Sequence, residues 1–196
     1  MKLVVIACNT LTVLGVDTLK GSHAFEIVGM SKGAQLVLAA SSRKKIGVFA
    51  TEFTINSGAH KAAILAADDG ADVYPQACPK FVPLIEGEQF DGAEVRAAVA
   101  EYAAPLKAAG IDTLILSCTH FIQKEIESEF GSEVTVIDPA DATAQDTKTV
   151  LAAEGLLRSE GAGTLEVCFT ADVERGARIA GRVLPQGKCL FKEIKL

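Results

Sequence analysis

Two short segments of this chain place a thiol beside polar residues in the same way. Leu3-Val4-Val5-Ile6-Ala7-Cys8-Asn9-Thr10 runs from an apolar stretch into Cys-Asn-Thr, and Leu114-Ile115-Leu116-Ser117-Cys118-Thr119-His120 runs from another into Cys-Thr-His. The apolar stretches read as buried strands, so each cysteine stands just past a strand and before an expected helix. A free thiol has a pKa near ~8.5 and is only slightly ionised at neutral pH. A helix N-terminus offers partial positive charge and unpaired N–H groups, which favour a thiolate and can also hold a carboxylate. Two such thiols on opposite walls of a cleft could remove a proton from one face of a carbon and return one to the other. A cysteine ending a strand is, taken alone, more often core than catalytic. The matched pair brings the two readings level.

The elements that must position these residues alternate short apolar runs with Ala-rich helical stretches. Strands are expected at 3–6, 25–28, 45–50, 71–75, 113–117, 134–138, 164–170 and, as a last edge strand, 188–194. Helices are expected at 31–40, 55–69, 92–109, 120–130, 140–155 and 173–183, several stopped by glycine. Strands apolar throughout, alternating with helices, predict an α/β fold with parallel strands covered on both faces. Ligands in such folds sit at the carboxyl ends of strands, where Cys8 and Cys118 lie. The two similar strand ends suggest two pseudo-symmetric halves facing each other across a cleft.

Composition narrows the classes of function. The chain has 196 residues, 49% of them hydrophobic, with 17 Gly and 6 Pro, which is a globular composition and not a disordered or collagen-like one. Its net charge of −6 argues against a nucleic-acid partner. No apolar run approaches the ~20 residues of a membrane span. The five cysteines are widely spaced with no CxxC, and there are three histidines, so no metal site is expected. Free thiols and a start that reads as a strand fit a cytoplasmic chain. Cys78 is expected to be structural, Cys168 core and Cys189 inert, while His23 and His60 stay unassigned. Asn9, Thr10, Thr51 and Thr54 could also be plain helix caps, and Glu86 an exposed loop carboxylate.

Several segments resemble the cofactor-independent aspartate/glutamate racemase superfamily. Ala7-Cys8-Asn9-Thr10 and Cys118-Thr119-His120 look like its two cysteine motifs. The stretch from Ile46 through Thr51, Thr54 and Ser57 to Gly58 resembles the strand, threonine loop and helix start of glutamate racemase, and Ala77-Cys78-Pro79 through Glu86 resembles its next signature. Ile137-Asp138-Pro139-Ala140 and Phe169-Thr170-Ala171-Asp172 fit its later strands. His120 after Cys118-Thr119 favours glutamate over aspartate racemase. The resemblance implies interconversion of L- and D-glutamate with no cofactor. It makes Cys8 and Cys118 the two catalytic thiols and His120 an acid/base assistant. Asn9, Thr10, Thr51, Thr119 and Glu86 fall at positions near the substrate. It further implies a role in peptidoglycan supply and a homodimer.

The resemblance also carries a departure. The family pattern opens with a strand ending in Asp-Ser-Gly ahead of the first cysteine motif, whereas here that cysteine is residue 8. About two βα units are thus expected to be absent from the first half. That half would comprise residues 1–32 plus 141–196, truncated at its N-terminus, and the second half 33–140. An uncovered strand edge and apolar helix face would follow, and Cys8 would lack an aspartate partner. Two alternatives stay open: a racemase of the same superfamily acting on aspartate or a hydantoin, and a non-catalytic fragment that keeps the fold.

Overall fold

The computed structural model describes residues 1–19, 21–119, 122–161, 163–184 and 189–195. They divide into two compact units, 1–157 and 158–196. The first contains β1 (Leu3–Ile6), α1 (Asn9–Leu19), β2 (Glu26–Gly29), α2 (Ala34–Ala40), β3 (Lys45–Ala50), α3 (Glu52–Asn56), α4 (Ala59–Ala67) and β4 (Asp72–Ala77). It continues with α5 (Phe81–Glu86), α6 (Ala93–Ala109), β5 (Thr113–Ser117), α7 (Gln123–Phe130), a 3-10 turn at Gly131–Glu133, β6 (Thr135–Ile137) and α8 (Ala140–Ala153). The second unit holds β7 (Leu165–Phe169), α9 (Val173–Ala180) and β8 (Cys189–Glu193). The α/β class with parallel strands is as expected.

The frame of the first unit is a parallel sheet in the order β4-β3-β5-β6. Alternation along β3 and β5 sorts side chains to its two faces. Phe49, Leu114 and Leu116 pack with Phe81, Val95, Val99, Tyr102, Leu106, Ile126 and Phe130 under α5, α6 and α7. Ile46, Val48 and Ile115 pack on the other face with Val37 of α2 and Ile64 of α4. Gly47 suits this crowding, since a Cβ there would lie 2.8 Å from Ile111 Cδ1 and 3.0 Å from Leu106 Cδ1 and would make those side chains shift. Pro75 sits in edge strand β4, where a missing N–H is tolerated. The start of β5 is anchored by Asp112. Its carboxylate accepts from Ser41 Oγ at 2.5 Å, Arg43 N at 2.6 Å and Ser42 Oγ at 3.2 Å.

β1 and β2 form a separate parallel pair in the same unit. Val5, Leu11, Leu14 and Leu19 on β1 and α1 are exposed. Among the described residues no helix is long and apolar enough to cross a membrane.

Several expectations need correction. The helix expected over 55–69 is two, α3 and α4, because Gly58 takes a left-handed conformation (φ 67°) and starts the second. The segment before Glu86 is helical (α5), not a loop. Cys168 is exposed, not core. Val167 and Phe169 are half-buried, Phe169 lying against Gly176 of α9, so alternation turns Cys168 to the opposite, uncovered face of the β7–β8 pair.

Candidate active site

The segments that follow β1, β3 and β5 meet in the first unit, although β1 belongs to a different sheet from β3 and β5. Cys8 follows β1, and its carbonyl accepts from Thr12 N at 2.9 Å, which makes it the cap of α1. The thiol is half-buried and next to the first turn of that helix. Asn9 is buried at 3% exposure, and its Nδ2 has no hydrogen-bond partner among the described residues. An amide donor left unpaired inside a protein costs about 1–3 kcal/mol unless something accepts from it. Asn9 shares a cavity of about 170 Å³ with Cys118 and Thr119, and Met30, Gln123 and Asp138 also line it. Residues of both cysteine motifs, Asn9 of the first and Cys118 and Thr119 of the second, therefore line one space.

The third strand end completes the group. Thr51 follows β3 and caps α3, accepting from Thr54 N at 3.3 Å. Its hydroxyl lies 2.9 Å from that of Thr10 and 3.0 Å from that of Thr54, and Thr10 and Thr54 are 3.2 Å apart. This triangle ties the start of α1 to the start of α3. Thr51 is thus both a cap and a member of the group, two roles that the sequence posed as alternatives. The neighbouring backbone is also held: Thr12 Oγ1 accepts from Met30 N, and Thr143 Oγ1 accepts from Ser31 N, both at 3.0 Å.

The remaining assigned residues differ. Cys118 is half-buried and Thr119 exposed at the end of β5. The next helix begins only at Gln123, so Cys118 does not cap it as Cys8 caps α1. Its preceding residue, Ile122, has φ −96° and ψ 81°, which is not helical. His120 lies outside the described residues. Glu86 is exposed at the end of α5 and does not line the cavity of Asn9 and Cys118. Cys78 is buried, and burial pushes its thiol pKa up, with the nearby Cys118 adding to the shift. It is a core thiol. Sequence reasoning missed Thr54, Met30, Gln123 and Asp138 as members of the site. The Thr51-x-x-Thr54 spacing, which puts both hydroxyls in one first turn, was the available signal for Thr54.

Comparison with known proteins decides the family. The Asp/Glu/hydantoin racemase family matches residues 1–147. The chain belongs to the Asp/Glu/hydantoin racemase family. It is therefore an isomerase of the racemase class. A glutamate racemase from Lysinibacillus sphaericus is 38% identical over 200 residues, covering 100% of this chain and 76% of the relative. The crystal structure of a glutamate racemase isoform from Bacillus anthracis matches with a TM-score of 0.89 at 30% identity, over 100% of this chain and 74% of the other. That of the Francisella tularensis glutamate racemase, in complex with D-glutamate, matches with a TM-score of 0.84 at 25% identity, over 100% and 73%. The racemase fold is thus shared along the whole chain.

Proposed function

We propose that the chain is a glutamate racemase that works by two thiols without a cofactor. The observation that carries this reading is the common cavity of Asn9 and Cys118, one residue from Cys8 in the first motif. Cys8 as thiolate takes the α-proton from one face of the amino acid. Its S–H bond forms as the Cα–H bond breaks, and the electron pair remains on carbon. Cys118 as thiol gives its proton to that pair from the other face. The opposite enantiomer runs the same steps with the roles exchanged. Positioning of both sulfurs before the reaction supplies much of the advantage, because neither group must be recruited from solution.

The carbanion is the hard part, since no pyridoxal ring takes up its charge in this mechanism. Donors arranged in advance around the carboxylate have to do that. We assign that role to Asn9 Nδ2 and the hydroxyls of Thr10 and Thr51, with support from the unpaired Asn9 amide and the Thr10–Thr51 contact. We add Thr119, which lines the cavity with Asn9. His120 is assigned by resemblance to proton exchange at Cys118, and Glu86 to the surroundings of the substrate. We extend the proposal to a cytoplasmic homodimer supplying D-glutamate for peptidoglycan. It is built from the halves 1–32 plus 141–196 and 33–140.

A panel of L- and D-glutamate, L- and D-aspartate and a 5-substituted hydantoin, followed by circular dichroism without added cofactor, tests the reading. Loss of optical activity from glutamate alone is expected. Loss from aspartate or hydantoin instead would overturn the substrate, and none from any would overturn the activity.

A further inference from the structure

His60 takes no part in the chemistry above. It is the second residue of α4, 3% exposed, and neither ring nitrogen has a hydrogen-bond partner among the described residues. An imidazole buried without partners carries a desolvation cost that a merely structural residue would avoid. The ring lines a cavity of about 40 Å³ together with Thr54, Val48 and Pro75. One water needs only about 10–15 Å³ of such space, and needs polar partners around it. The polar side chains among the cavity's lining residues are His60, Thr54 and Lys61. Burial, reinforced by the charge of Lys32, lowers the His60 pKa to about 4. The ring is therefore neutral near pH 7, with one N–H and one acceptor nitrogen.

Counting protons shows what this contact would do. The Thr10, Thr51 and Thr54 hydroxyls all lie within 3.2 Å of one another. Each owns one proton. A closed triangle uses all of them and leaves none for an anion in the cleft. If Thr54 oxygen accepts from outside the triangle, one internal bond can open, and one proton is free to point at a substrate carboxylate.

We propose that His60 is a positioning residue which, through one buried water, donates to Thr54 and so turns a hydroxyl proton of the threonine triangle toward the substrate carboxylate. The substrate in this statement rests on the racemase reading; the bridge from His60 to Thr54 does not. The freed hydroxyl holds a carboxylate present in both ground and transition states, so its loss raises KM and spares kcat.

A crystal structure at a resolution that shows waters comes first. A water within hydrogen-bond distance of a His60 nitrogen and Thr54 Oγ1 is expected, and a dry cavity overturns the proposal whether or not the chain is active. Kinetics come second. His60→Leu should raise KM for glutamate about tenfold with kcat within about twofold, and His60→Gln, which can still donate, should return KM to within about threefold. An unchanged KM in a folded His60→Leu chain overturns the proposal. So does a folded His60→Gln chain whose KM is itself raised about tenfold, and that result together with the crystal water decides the matter if His60→Leu does not fold. If the unaltered chain shows the water but turns over no glutamate, the racemase reading falls and the His60–Thr54 bridge stands.

Discussion

Replacing His60 with Leu should remove an acid-sensitive component of stability. In the folded chain the His60 pKa is about 4, against 6.5 for an unperturbed histidine. Between those values the unfolded chain takes up a proton that the folded chain refuses. Stability from this source is therefore complete above the unfolded pKa, is lost as pH falls through the window, and changes no further below about 4. Integrated from pH 7.5 to 5.0, the loss is about 2 kcal/mol. Urea unfolding of the unaltered chain and His60→Leu at both pH values provides the assay. Carboxylates titrate alike in the two proteins, so the difference between them isolates His60. The unaltered chain should lose about 2 kcal/mol more than the variant on acidification. Equal losses would refute the reasoning that this ring is buried and neutral.

Other consequences follow from the frame and the site. Burial opposes ionisation of Asp112, but hydrogen bonds from Ser41, Arg43 and Ser42 outweigh it and hold the carboxyl below its usual range. Asp112→Ala strands those donors and should cost about 2–4 kcal/mol at pH 7, read by urea unfolding. That loss should shrink as pH falls from the ordinary carboxylate value of 3.8 toward the lowered pKa of Asp112. Gly47→Ala forces a methyl against Ile111 and Leu106 and should destabilise by about 1–3 kcal/mol, seen as a lower thermal midpoint. Thr51→Val removes a cap acceptor and the proposed carboxylate donor, so KM for glutamate should rise and the melting temperature fall together; a change in neither would remove Thr51 from the proposed site.

The strands that carry the site were legible in the residues. β3 and β5 lie where their apolar runs stand, because a strand buried on both faces is apolar through its middle and not at alternate positions only. The helix break at Gly58 was harder to see, since the sequence on both sides is helix-compatible and only the backbone angle separates α3 from α4. Cys168 misled because a β-run shows alternation but not which face another element covers. The proposed site was readable as two thiol motifs and a threonine. Its closure was not. The Thr10–Thr51 contact joins residues 41 apart, and a lone His60 carries no local sign of what it will touch.

The central claim is that the thiols of Cys8 and Cys118 act on opposite faces of one carbon. Exchange of the α-proton of L- and D-glutamate in heavy water, without cofactor, tests it directly for the chain, Cys8→Ala and Cys118→Ala. The account predicts exchange with both enantiomers in the unaltered chain and loss of racemisation in each variant. Full racemisation surviving the removal of either thiol, in a folded protein, would contradict it.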